Sequence, residues 1–239
     1  MKLLELTLNS PAANLALDEA LLESAESTDD YPEVLRIWEP LCPLVVIGRS
    51  SPIKTEVNLP FCESNGIEVL RRCSGGQSIV TGPGCLMYSV LLDYRKRPEL
   101  RMLERVHEFV MNHMRDALRR LGVETEMEGT SDLTLNRRKF SGNSLRCKRN
   151  WLVYHGTMLC DFDIGLISQC LGKPIREPEY REQRSHQDFL TQLPVNCSEL
   201  SQAIAAQWDA RESMVEWPHQ VTANLVAEKY EQELWNSKV

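Results

Sequence analysis

A chain of 239 residues, 42% hydrophobic and 26% charged, is long enough to bury one substantial core and has the balance of an ordinary soluble domain. Its formal net charge of −7 argues against a protein that grips nucleic acid over a broad face, because such binding neutralises many phosphates with Lys and Arg. Eight scattered cysteines with no CxxC and no paired Cys/His spacing argue against a disulfide framework and a structural zinc site.

Glu5, Asp18, Glu19 and Glu23 interrupt the apolar N-terminal stretch. Neither a signal peptide nor a membrane span tolerates that spacing, so a cytoplasmic protein with no membrane partner is expected. Asn9-Ser10-Pro11 reads as a helix cap followed by proline in the first turn, and Leu15, Leu17, Ala20, Leu21 and Leu22 give the next stretch an amphipathic face. Val34 to Trp38, Leu44 to Ile47, Ile67 to Leu70 and Leu86 to Leu92 read as strands. A long helix is predicted from Arg101 to Leu121, with Leu103, Val106, Val110, Met114 and Leu118 on one face and Gly122 placed to end it. Strands at Glu124 to Met127, Leu133 to Leu135 and Lys139 to Ser144 follow, the last two joined by a tight turn at Asn136-Arg137-Arg138. Trp151 to Leu159 is the final strand. A short helix over Ile164 to Leu171, a polar loop over Lys173 to Arg184, and helices over Ser198 to Trp208 and Thr222 to Trp235 complete the chain. The pattern predicts an α+β fold, a mixed, largely antiparallel sheet packed by helices on one side. Residues 1–195 are expected to form the main body, with a C-terminal helical extension over 196–239.

Arg71-Arg72-Cys73-Ser74-Gly75-Gly76-Gln77 directly follows a strand and precedes a second glycine turn at Thr81-Gly82-Pro83-Gly84. Adjacent glycines let backbone N–H groups approach an oxyanion, and arginines supply forked donors for phosphate or carboxylate. A plain β-turn flanked by surface arginines fits the same residues. Lys139-Phe140-Ser141-Gly142-Asn143-Ser144 follows Asp132-Leu133 by one hairpin and precedes His155-Gly156-Thr157. If Lys139 points into a cavity, its ammonium could draw a carboxylate towards a phosphate, with Asp132 near enough to hold Mg²⁺. On spacing alone, the plainer reading is a solvent-facing lysine beside Arg137 and Arg138. Arg137, Arg138, Lys139, Arg146, Lys148 and Arg149 form a basic stretch without an acidic residue, suited to an acidic partner, to a nucleotide phosphate or simply to solvent.

Taken in order, Arg-Arg-x-Ser-Gly-Gly, Asp-Leu-Thr, Lys-x-Ser-Gly-Asn-Ser and His-Gly-Thr-Met-Leu resemble the catalytic domain of the lipoate-protein ligase A, octanoyltransferase and biotin-ligase superfamily; Asn14-Leu15-Ala16-Leu17-Asp18-Glu19 also fits. The resemblance runs from about residue 10 to about residue 193. It implies a class II aminoacyl-tRNA synthetase/biotin ligase-like fold and a lipoyl or octanoyl tail in an apolar slot. It implies that Lys139 is the catalytic lysine, binding the carboxylate and the adenylate phosphate. Arg71, Arg72, Ser74, Gly75, Gly76, Gln77, Asp132, Ser141, Gly142, Asn143, His155, Gly156 and Thr157 are then the substrate- and nucleotide-binding residues. ATP and Mg²⁺ would serve activation of lipoate or octanoate. The acceptor would be a lysine on a lipoyl carrier domain of a 2-oxoacid dehydrogenase E2 or a glycine-cleavage H protein, with an accessory domain or separate subunit aiding adenylation. Gln77 and Thr81 stand where ligases usually carry glycine and histidine, and Gln77 with Gly82 to Tyr88 is closer to the octanoyltransferase branch. Two further readings follow: acyl transfer without ATP through a thioester on Cys160, and a non-catalytic acyl-binding scaffold. Cys160 and His155 also fit as a buried inert thiol and a packed histidine.

Overall fold

The computed structural model describes residues 1–174 and 176–238. Strand β1 (Lys2–Glu5) leads into helix α1 (Pro11–Glu26), which Ser10 caps by accepting a hydrogen bond from the Ala13 N–H while Pro11 occupies the first turn. Strands β2 (Val34–Trp38) and β3 (Leu44–Ile47), helices α2 (Ile53–Glu56) and α3 (Leu59–Ser64), and strands β4 (Glu68–Arg71), β5 (Ile79–Thr81) and β6 (Cys85–Asp93) follow. Helix α4 (Leu103–Arg120) precedes β7 (Glu126–Glu128), β8 (Asp132–Leu135), β9 (Arg138–Ser141), β10 (Asn143–Cys147) and β11 (Trp151–Leu159). The chain closes with α5 (Ile164–Cys170), α6 (His186–Phe189), α7 (Cys197–Gln207), β12 (Glu212–Ser213), α8 (His219–Leu225), a π-helical turn over Val226–Tyr230, and α9 (Glu233–Asn236).

The central sheet runs β10-β11-β6-β2-β1-β12, antiparallel from β10 to β2 and parallel from β2 through β1 to β12. Two three-stranded sheets, β4-β3-β5 and β7-β8-β9, complete a mixed, largely antiparallel α+β architecture. Helices cover both faces of the central sheet rather than one. Residues alternate across a strand, so Val90 and Leu92 of β6 pack towards α4 through Val106, Val110 and Met114, while Leu91 packs towards α1 through Leu17 and Leu21. Each such side chain, fully buried, contributes roughly 1.5–3 kcal/mol. A third cluster joins Ala12, Leu15 and Ala16 of α1 to Leu44, Val46 and Leu70, so α1 ties the central sheet to β4-β3-β5.

Two local features position the site. The predicted turn between β8 and β9 is made by Asn136 and Arg137 at φ 51° and 60°, both left-handed, as a two-residue hairpin loop requires. The stretch from Lys139 to Ser144 is two strands, not one. It breaks at Gly142, so β9 pairs with β8 while β10 pairs with β11 in the central sheet.

Candidate active site

A cavity of about 440 Å³ lies where the three sheets meet, within the size range of small-molecule pockets. Leu15, Trp38, Val46, Val80, Met87 and Ile167 supply apolar wall, while Lys139, Arg72 and Arg181 bring positive charge.

Lys139 lies on β9 with its Nζ 2.7 Å from Asp132 Oδ1 across the β8–β9 hairpin, the two side chains 26% and 15% exposed. Its stem passes over Gly142, where an added Cβ would sit 3.1 Å from both Lys139 Cε and Nζ. The Tyr180 hydroxyl donates to Asp132 Oδ2 at 2.7 Å. Burial and the Asp132 charge push the Tyr180 phenol up, so it keeps its proton to donate. Both Asp132 oxygens are therefore engaged. Asp132, the residue expected to hold Mg²⁺, pairs here with the Lys139 ammonium and the Tyr180 hydroxyl. Among the described residues no group of three or more His, Cys, Asp and Glu offers another metal site.

The glycine loop is folded around Arg72, whose Nε donates to Ser74 Oγ at 3.1 Å and whose Nη2 donates to the Gly75 and Gln77 carbonyls at 2.5 and 3.0 Å. Burial lowers Arg72 to about 10, which leaves it cationic at neutral pH. Gly76 adopts φ 86°, a conformation that favours glycine. Of the predicted run, Arg72, Gly76 and Gln77 line the cavity. Ser74 and Gly75 form the back of the loop, and Arg71 points away, donating to the Gly48, Ser51 and Trp235 carbonyls.

His155 connects this loop to α1. Its Nε2 lies 2.5 Å from Ser74 Oγ and its Nδ1 lies 3.0 Å from Asp18 Oδ2. Burial alone would raise the Asp18 carboxyl, but the Arg36 guanidinium, 2.7 Å away, with His155 and Ser89, holds it down to about 2. The ring thus bridges the Asp18 carboxylate and the Ser74 hydroxyl. A chain of hydrogen bonds runs from Arg72 through Ser74 and His155 to Asp18. Gly156 is fixed by crowding: a Cβ there would fall 1.8 Å from Asn143 Oδ1, which also accepts from the Tyr88 hydroxyl. Asn143 in turn donates to the Ser131 carbonyl at 2.6 Å and to Ser141 Oγ at 3.2 Å, and the Thr157 N–H donates to the Gly142 carbonyl at 3.1 Å.

Cys160 is buried and does not line the cavity; the hydrogen bond its thiol donates to Cys197, together with burial, pushes it far above the usual range. A neutral, buried thiol outside the cavity lining is a poor nucleophile. The basic stretch is partly neutralised, Arg137 by Glu182 at 2.9 Å and Lys148 by Glu23 at 2.7 Å. Tyr180, Arg181 and His186, which sequence reading did not select, join the site through a 3₁₀ turn at Glu179–Arg181 and through α6. Arg181 is 7% exposed, lines the cavity and stacks its guanidinium 4.8 Å from the Phe189 ring. A tyrosine and an arginine just after the two prolines of a polar loop are the only sequence hint of them.

Apolar walls shared with Arg72, Lys139, Lys173 and Arg181 suit a molecule with an apolar tail and an anionic head. The sequence pattern of the Lipoyl protein ligase A/B catalytic domain matches residues 10–208, and the chain belongs to that family. Lipoate-protein ligase LplJ of Bacillus subtilis is 29% identical over 164 residues, 69% of this chain and 47% of its own length. Octanoyltransferase LipM of Geobacillus kaustophilus is 24% identical over 266 residues, covering 95% of this chain and 94% of its own. A bi-partite lipoate protein ligase from Thermoplasma acidophilum, studied with its E2 lipoyl domain, shares the fold at a TM-score of 0.84 and 23% identity, over 99% of this chain and 95% of that one. A lipoate-protein ligase A bound with ATP does so at 0.83 and 23%, over 99% and 98%. The chain spans about half the length of the curated lipoate-protein ligases it matches, between 42% and 58%. Among the described residues no helix is long and apolar enough to cross a membrane.

Proposed function

We propose that this chain is an ATP-dependent lipoate-protein ligase that activates lipoate or octanoate as an acyl-adenylate and passes the acyl group to a lysine of a lipoyl carrier domain. The observation that carries this reading is the Lys139 ammonium inside an apolar-walled cavity shared with Arg72, Arg181 and the Gly76-Gln77 backbone. Leu15, Val46 and Met87 would hold the tail and exclude water. Lys139, released from Asp132, would bridge the substrate carboxylate and the α-phosphate and offset their repulsion. A carboxylate oxygen then bonds to phosphorus as the bond to pyrophosphate breaks. The acceptor amine next attacks the acyl carbon, the C–O bond to AMP breaks, and the amine gives its proton to solvent. Such chemistry depends on positioning and charge neutralisation more than on an acid or base.

Once Lys139 has left it, Asp132 would keep only its Tyr180 partner and would be free to hold the magnesium that enters with the nucleotide. The near full-length match to LipM favours a second reading, octanoyl transfer without ATP. The burial of Cys160 outside the cavity lining speaks against its thioester version. Acyl-dependent ATP–pyrophosphate exchange separates the two. Under the ligase reading exchange is present, collapses in Lys139→Ala and stays within about twofold of wild type in Cys160→Ser. Acyl transfer without ATP that disappears in Cys160→Ser would overturn it.

A further inference from the structure

The family match ends at residue 208, yet the chain beyond it reaches the back of the glycine loop. Arg71 is fully buried and its donors divide between two groups of carbonyls. On one side its Nη1 donates to the Gly48 and Ser51 carbonyls at 2.6 and 3.0 Å. On the other its Nε donates to the Trp235 carbonyl at 2.9 Å and its Nη2 to the carbonyls of Asn236, at 3.2 Å, and Lys238. Its backbone is gripped as well, since its N–H donates to Asn236 Oδ1 and the Trp235 indole donates to its carbonyl, each at 2.9 Å.

The Gly48 and Ser51 side of this clamp touches the loop itself. Ser51 Oγ donates to the Gly76 carbonyl at 2.9 Å, and Gly48 lies so close that a Cβ there would sit 1.8 Å from that oxygen. The C-terminal side is anchored too. Tyr230 is fully buried and donates to Glu19 Oε2 at 2.8 Å, and Lys229 pairs with the same carboxylate at 2.7 Å. We infer that residues 219–238 act as a strut which, through Arg71 as a positioning residue, fixes Gly76 and Gln77 against the cavity. Arg71 then serves ligand binding without touching a ligand.

Hydrogen exchange on the full chain tests this without any ligand, so the result stands apart from the proposed activity. In Arg71→Met, exchange of the Gly75 to Ser78 amides is expected to rise about tenfold or more, with β6 and β11 unchanged. Trp235→Phe, which removes one donor and keeps the ring, should give a smaller rise at the same amides, and Arg71→Lys should lie between wild type and Arg71→Met. Octanoate titration of the same variants should show weaker binding with maximal turnover held; that measurement alone rests on the ligase reading. Unchanged exchange at the loop in Arg71→Met and Trp235→Phe, or an equal rise across β6 and β11 in both, overturns the strut.

Discussion

Two carboxylate–cation contacts of the same length serve different ends. Asp18 and Arg36 meet at 2.7 Å with side chains 5% and 0% exposed, and Asp18 also holds His155 and Ser89. Asp132 and Lys139 meet at 2.7 Å as well, but on a hairpin at the rim of a cavity. Burial makes the first pair part of the frame, because neither charge can regain water without unfolding. Partial exposure leaves the second breakable: water and screening reduce what the contact contributes, so an arriving anion can compete for the ammonium.

The sharpest way to break this contrast is Arg36→Met. It strands the Asp18 charge in the core and should cost about 3–5 kcal/mol in urea unfolding. Lys139→Ala should instead shift unfolding by less than about 1 kcal/mol while lowering acyl-dependent pyrophosphate exchange about a hundredfold or more. Acid comes next. With its folded value near 2, Asp18 contributes stability above the unfolded carboxylate range, which is lost as pH falls through the folded value. About 2 kcal/mol should disappear between roughly pH 4 and pH 2, and Asp18→Asn should flatten that part of the profile. Tyr180→Phe is expected to be mildest: losing one donor to Asp132 should alter stability by about 1 kcal/mol or less and pyrophosphate exchange only a few-fold. An unfolding loss in Lys139→Ala equal to that of Arg36→Met would erase the distinction.

Much of the frame was legible because burial writes a period into the residues. The strands at Val34–Trp38, Leu44–Ile47 and Trp151–Leu159 stand where apolar runs placed them. Short elements were not legible. Strand β1 carries a lysine and a glutamate in four residues, and β12 has two residues, so neither holds a pattern long enough to detect. The helix predicted over Thr222 to Trp235 is broken, since the π-helical turn ending at Tyr230 serves to bury that ring against Glu19. At the site, sequence order could bring Lys139, His155 and the glycine loop into one family pattern. It could not tell that Arg71 and Arg72, adjacent in the chain, leave a strand in opposite directions, which alternation along β-structure dictates once the strand end is known. Nor could it find Tyr180, which holds Asp132, or Arg181, which lines the cavity, because both are brought there only by a loop folding back over the β8–β9 hairpin.

Gly142 separates strands that belong to different sheets. Lys139 therefore stands in one sheet and His155 in the other, and the Asn143 amide, which reaches back to Ser131 and Ser141, spans the seam between them. A change that prised the two sheets apart by an ångström would have to break those bonds as it widened the hollow.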